Sequence, residues 1–159
     1  MQDLLKTPVE KVMTKKVISI AKDEPVKEVF QLMKKHDILG LPVVDSKNHV
    51  IGIVTEGDLT RHFTTLRLPR SLHLLGSLVY LDDVQEFNQH LREHCAETVE
   101  GLMNTAVITI KNNQSFLEAI NLMAEKKINR LPVVNASQEL CGILTRTDVV
   151  HQLAQLNLI

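Results

Sequence analysis

The chain is predicted to be an α/β protein built from two β-α-β-β-α repeats, and three observations carry that prediction. The stretch Ile51–Leu59, I-G-I-V-T-E-G-D-L, returns as Cys141–Val149, C-G-I-L-T-R-T-D-V, at an offset of 90. On the same offset residues 9–62 align with residues 99–152 without a gap and share 18 of 54 positions, so the duplication governs every later assignment. Within each copy, short β-branched runs alternate with apolar stripes at helical spacing. A unit of about 55 residues is marginal alone, so the two copies are expected to fold as one body.

The elements follow in chain order. Thr7 to Met13 reads as a short helical lead, with Pro8 in its first turn and Val9 and Met13 on one face. Val17 to Ile20 is a β-branched strand. Asp23 is placed to cap the next helix, with Pro25 in its first turn, an apolar stripe of Val26, Val29, Phe30 and Met33, and a stop near His36 or Asp37. Leu41 to Val44 and Val50 to Thr55 form a hairpin around the turn Asp45-Ser46-Lys47-Asn48, and its second strand delivers Thr55 to a helix from about Glu56 to Thr65. The second copy runs likewise: Val107 to Ile110, a helix from about Ser115 to Lys127, Leu131 to Val134, Leu140 to Thr145, and a last helix to about Leu156.

Phe63 to Thr98 has no counterpart in the duplication. The chain therefore divides into residues 1–65, a helical insertion at 66–98, and residues 99–159. Asp83 to His94 carries a helical stripe of Val84, Phe87 and Leu91. The apolar run Leu72 to Leu81 is open to three readings: internal packing, contact with a second subunit, or a membrane surface.

Composition narrows the function. The 44% hydrophobic and 23% charged content suits a globular domain. A net charge of -1 gives no strong nucleic-acid or membrane attraction. Cys95 and Cys141 form no CxxC pair, which fits a reducing cytosol. The first residues lack a secretory pattern, and no apolar run approaches the roughly 20 residues of a membrane span. A cytoplasmic protein is expected.

The repeated Thr-x-x-Asp sits where a strand becomes a helix, and it supports two readings. Thr55 and Thr145 at the N-cap, with Asp58 and Asp148 three residues on, resemble a capping box, although Glu or Gln is the usual partner. Alternatively, the helix N-terminus offers N–H groups to an anion while the Asp accepts from a vicinal diol such as ribose. One side chain serves both only if it rearranges on binding.

With its L-P-V-V and G-I-x-T-x-x-D segments, the repeat resembles the CBS domain, and the tandem resembles a CBS pair, or Bateman module. The resemblance covers residues 9–62 and 99–152. It implies repeats packed around a pseudo-two-fold axis, with two clefts for adenosyl ligands such as AMP, ADP, ATP or S-adenosylmethionine. It also implies that Asp58 and Asp148 bind ribose hydroxyls and that Thr55 and Thr145 lie near ribose or phosphate. Lys16, Ile18, Ile38, Leu39 and Gly40 would border one nucleotide, and Ala106, Ile108, Ile128, Asn129 and Arg130 the other. Only the backbone of the isoleucines is expected to hydrogen-bond. Arg130 suits a phosphate, but its counterpart is Gly40, so the two clefts are expected to differ.

Other signals are weaker. His90-Leu91-Arg92-Glu93-His94 fits H-x-x-E-H, a zinc-peptidase pattern, but lacks a third ligand and a substrate cleft in the sequence. There is no G-x-x-x-x-G-K-[ST] or G-x-G-x-x-G motif. Thr55, Ser71 and Thr145 lack triad partners, and Cys141 lies in an apolar strand. Arg61, Arg67 and Arg70 around His62 read as a solvated face. The expectation is a non-catalytic regulatory module that binds an adenine nucleotide or S-adenosylmethionine, needs no other cofactor or metal, forms a homodimer and acts on an effector protein. The rivals are a dimerisation module whose Thr-x-x-Asp motifs are only caps, and a metal site at His90 and His94.

Overall fold

The computed structural model describes residues 2–64, 66, 69–74 and 77–155. The lead opens with α1 (Gln2–Lys6) and a 3-10 turn at Val9–Lys11. This splits the single short helix expected from Thr7 to Met13, because Pro8 has no N–H to continue a helix and drives Thr7 out of helical geometry.

The first repeat then runs β1 (Ile20–Ala21), α2 (Val26–His36), β2 (Gly40–Val44), β3 (Val50–Thr55) and α3 (Glu56–Phe63). The second runs α5 (Val99–Leu102), β6 (Ile110–Lys111), α6 (Phe116–Lys126), β7 (Arg130–Val134), β8 (Leu140–Thr145) and α7 (Arg146–Ala154), after α4 (Val84–Ala96) of the insertion. Each repeat builds a three-stranded sheet, β1-β2-β3 and β6-β7-β8, as the duplication predicts. Leu156, where the last helix was expected to end, and Thr65 lie outside the described residues.

The first strands start later than expected. Their parallel ladders begin only at Ile20, paired with Val43, and Ile110, paired with Val133. β-Branched composition marks Val17–Ser19 and Val107–Thr109 as extended chain, but the partner strand decides where the ladder forms. The middle helices end alike, with Asp37 (φ 52°) and Lys127 (φ 54°) in the left-handed conformation that closes a helix C-terminus. The hairpin turns also match. The Asp45 carboxylate accepts from Lys47 and His49 N–H at 2.9 and 2.8 Å, and Asn135 Oδ1 accepts from Ser137 and Glu139 N–H at 2.9 and 3.0 Å.

The insertion is not helical throughout. Ser71–Leu74 (β4) and Ser77–Tyr80 (β5) pair as an antiparallel hairpin, with Ser71 opposite Tyr80. S-L-H-L alternates with period two, and S-L-V-Y carries the β-favouring Val and Tyr, both of which favour a strand over a helix. Arg70 closes the hairpin on Asp82 through its guanidinium at 2.9 Å and its backbone N–H at 2.8 Å. α4 follows with Asp83 as its N-cap, accepting from Gln85 N–H at 2.7 Å.

The chain forms two compact units, and neither coincides with a repeat. One comprises residues 1–21, 42–53 and 105–159. Here the lead of the first repeat lies against the helix start of the second: Val9 N–H donates to Gln114 C=O at 2.8 Å and Phe116 N–H to Thr7 C=O at 2.8 Å. Val9 and Val12 thereby join Ile110, Phe116, Ala119, Met123, Leu131, Val133 and Leu144 in one core. Gly142 makes room for this packing, since a Cβ there would meet the Met13 side chain and force it to shift.

The other unit comprises residues 22–41 and 54–104. It repeats the arrangement with the copies exchanged: Val99 N–H donates to Glu24 C=O at 2.9 Å, and Val26 N–H to Glu97 C=O at 2.7 Å. That last bond explains why α2 starts from Pro25 without the expected Asp23 cap, because a backbone carbonyl from the distant lead satisfies the first N–H instead. Val26, Val29, Leu41, Val54 and Val99 are fully buried, each burial contributing roughly 1.5–3 kcal/mol.

Candidate functional site

Each repeat ends on the same local device. β3 brings Thr55 to the start of α3 in extended conformation (φ -125°, ψ 167°), and β8 brings Thr145 to α7 (φ -112°, ψ 164°). Thr55 N–H donates to Asp58 Oδ2 at 2.8 Å and the Thr55 hydroxyl donates to the same oxygen at 2.6 Å. Thr145 and Asp148 repeat both distances, 2.8 and 2.6 Å. The next N–H is satisfied from the strand before: Glu56 N–H donates to Leu39 C=O at 3.1 Å, and Arg146 N–H to Asn129 C=O at 3.0 Å.

The cap therefore occupies one carboxylate oxygen and leaves the other turned outward. A carboxylate offers about four lone-pair sites on two oxygens, so the cap does not use up the acceptor capacity of either aspartate. At Asp58 the outward Oδ1 accepts from Arg61 Nη2. At Asp148 it accepts from the Thr14 hydroxyl at 3.3 Å. Asp58 is buried, at 8% exposure. It lines a cavity of about 350 Å³ with Arg61, His62, Gly101, Leu102, Met103 and Asn104.

The other predicted residues divide between the units. Lys16, exposed, and Ile18, half-buried, belong to the first, whereas Ile38, Leu39, Gly40, Thr55 and Asp58 belong to the second. Ala106, Ile108, Ile128, Asn129, Arg130, Thr145 and Asp148 all lie in the first unit. The backbone N–H groups of Ile38 and Ile128 close the preceding helices on Met33 and Met123 C=O, both at 3.0 Å. Those two donors are committed to the fold.

Sequence reasoning missed Arg61, His62, Thr14 and the Gly101–Asn104 stretch. Arg61 fits the solvated face the sequence predicts, its side chain 75% exposed even as it donates to Asp58, and Arg67 of the same cluster lies outside the described residues. Thr14 and Asn104 are counterparts on the 90-residue offset. The signal was thus present in the register, but nothing local says that either faces an aspartate.

The H-x-x-E-H pattern does not assemble as written. Among the described residues, the group able to hold a metal ion is His62, His94 and Glu97, and His90 is exposed outside it. The Cys141 thiol is pushed up by burial first and by the Glu10 carboxylate second, and its Sγ lies 3.5 Å from Val133 C=O. No described helix is long and apolar enough to cross a membrane.

The fold and site thus define a duplicated α/β module with a capped Thr-x-x-Asp helix in each copy. The CBS domain family profile matches residues 9–64 and 99–155, and the chain belongs to that family. The uncharacterized protein MJ1426 of Methanocaldococcus jannaschii is 32% identical over 146 residues, 87% of each chain. CBSX2 of Arabidopsis thaliana, in a crystal structure in complex with AMP, matches with TM-score 0.70 at 24% identity, over 94% of this chain and 97% of that one. The CBS domain pair of protein MJ0100, in complex with 5′-methylthioadenosine and S-adenosyl-L-methionine, matches with TM-score 0.67 at 21% identity over the same shares. Two longer Methanocaldococcus jannaschii relatives are matched over only 32% and 23% of their own length.

Proposed function

We propose that this CBS pair is a non-catalytic regulatory module that binds an adenosyl ligand, AMP, ADP, ATP or S-adenosylmethionine, with ribose hydroxyls on the outward oxygens of Asp58 and Asp148. The observation that carries this reading is the division of labour within each carboxylate. Oδ2 holds the helix start, while Oδ1 is presented to a donor, and at Asp148 that donor is already a hydroxyl, that of Thr14. The adenosyl complexes of CBSX2 and MJ0100 support the same ligand class. Thr55 and Thr145 would lie beside the ribose. Lys16, Ile18, Ile38, Leu39, Gly40, Ile108, Ile128, Asn129 and Arg130 would border the bound ligands. Ligand binding would regulate an effector protein only by favouring one arrangement of the module over another. A homodimer would present that arrangement twice, and the exposed Leu78, Tyr80 and Leu81 of the insertion favour a subunit contact.

The test separates cap from ligand by Asp58→Asn and Asp148→Asn. Asparagine keeps one oxygen to accept from the threonine but replaces the outward acceptor with a donor. In a thermal-shift series with AMP, ADP, ATP and S-adenosylmethionine, a ligand at 100 times its dissociation constant stabilises the folded state by about 2.7 kcal/mol. The expected result is a raised Tm with one ligand that an asparagine variant abolishes while its own ligand-free Tm stays near that of the parent. If no adenosyl ligand shifts the parent at millimolar concentration, the motifs are only caps.

A further inference from the structure

We propose that His62, His94 and Glu97 form a binding site for one divalent transition-metal ion with the preferences of zinc. The three come from two stretches of one compact unit: His62 near the end of α3, and His94 and Glu97 at the C-terminal end of α4. One ligand atom from each lies within 4.8 Å of the others. Two imidazoles and a carboxylate are a donor set that zinc accepts, with a fourth position left for water or a ligand.

The supporting geometry is that of ligands held from behind. His94 Nδ1 lies 3.1 Å from the His90 carbonyl, the kind of backbone contact that orients a metal-ligating imidazole. The Glu97 backbone is anchored at both sides: its N–H donates to Glu93 C=O at 3.2 Å and its C=O accepts from Val26 N–H at 2.7 Å. His62 is packed edge-on against Phe63 at a centroid distance of 5.1 Å, and its side chain is 14% exposed.

His62 Nε2 stands 3.8 Å from Glu97 Oε2, and the two imidazole centroids are 5.0 Å apart. That nitrogen-to-oxygen separation is too long for a hydrogen bond. It is close to the edge of a tetrahedron with bonds of about 2.0 Å, roughly 3.3 Å. Ligation requires side-chain rotations that draw together the three atoms, which lie within 4.8 Å of one another, and requires His62 Nε2 to exchange its 3.4 Å contact with the His94 carbonyl for the ion. His62 also lines the cavity beside Asp58, so a metal here would stand at the border of that cavity and tie the insertion helix to the first repeat.

The test uses the full chain without an affinity tag, stripped by a chelator, dialysed, and titrated with Zn²⁺ and with Co²⁺ as a spectroscopic probe, with no nucleotide present. The expected result is one zinc per chain, a Co²⁺ absorption band displaced by zinc, and binding at least about tenfold weaker in His94→Gln and Glu97→Gln. His90→Gln keeps full affinity, which separates this site from an H-x-x-E-H motif. Circular dichroism checks folding, and Glu97→Gln, on an exposed side chain, keeps the test decisive if a histidine variant fails to fold. Absence of stoichiometric zinc in the parent overturns the proposal. So does parent-like binding in Glu97→Gln, or loss of binding in His90→Gln.

Discussion

Asp58 and Asp148 stand at the same place in their repeats, accept from their threonines at the same distances, and then part company at the other oxygen. Asp58 turns Oδ1 to a cation on its own helix, Arg61, whose counterpart is His151. Asp148 turns it to a hydroxyl from the distant lead, Thr14, whose counterpart is Asn104. The cap is a matter of three consecutive peptide units and survives duplication because each helix start needs it. The outward oxygen depends on residues that the local motif does not contain, and there the copies have diverged. Gly40 against Arg130 is a further difference of the same kind. Two sites with one origin are therefore expected to hold different ligands, or one ligand with different affinity.

The largest expected effect tests whether the cores beneath the sites are equally dependent on their corner residues. Phe116 and Val26 are counterparts, both fully buried. Phe116→Ala is expected to cost about 3–5 kcal/mol and Val26→Ala about 2 kcal/mol, read from urea midpoints. Equal losses would mean that the two cores are not distinguished by this position.

Arg61→Gln sharpens the comparison at the site itself. Should Asp58 hold the ribose, Arg61 is the nearest cation for a phosphate, and its loss is expected to weaken AMP or ATP about tenfold, ~1.4 kcal/mol, at that site. His151→Gln at the other copy is expected to change nothing. Calorimetric titration of both variants with AMP and with adenosine checks this, and an equal loss for adenosine would show that the phosphate is not what Arg61 meets.

The helix ends offer a smaller test. Lys127 bears a left-handed backbone with a side chain poorly suited to it, whereas Asp37 tolerates that region better. Lys127→Gly is expected to raise stability by about 1 kcal/mol, and Asp37→Gly by less, on the same urea scale.

The insertion has no counterpart, and its ion pair supplies the smallest effect. Hydrogen bonds from the Arg70 side chain and then its backbone lower the Asp82 carboxyl from 3.8 to about 2. Because the folded value is depressed, the pair contributes fully above the ordinary value and is lost as pH falls from 3.8 through about 2. Carboxyl NMR titration is expected to place Asp82 near the lower value in the parent and to return it toward the ordinary one in Arg70→Gln. The pair is solvent-exposed, so little change in Tm is expected.

Much of this was legible without the structure. The hairpin turns and the helices begun by Thr55, Thr145 and Ser115 depend on residues within four positions of each other. Periodicity, turn chemistry and capping report such interactions directly. The insertion hairpin rests on equally local terms, but its period-two alternation is confined to the four residues S-L-H-L, too short to outweigh an overall apolar run. The start of α2 is not capped by Asp23, because its first N–H is satisfied by the carbonyl of Glu97, more than seventy residues later.

By itself, then, the amino-acid order determined the duplication, the order of elements, and the pairing of Thr with Asp at each helix start, all of which rest on contacts along a short piece of chain. Only the tertiary structure decided that the lead of each repeat packs on the helix start of the other, that Thr14 faces Asp148, and that His62 meets His94 and Glu97 while His90 does not. Those juxtapositions join residues whose spacing follows no local period. They depend on where the chain returns after its loops, and burial of the two shared cores, not any motif, directs that return.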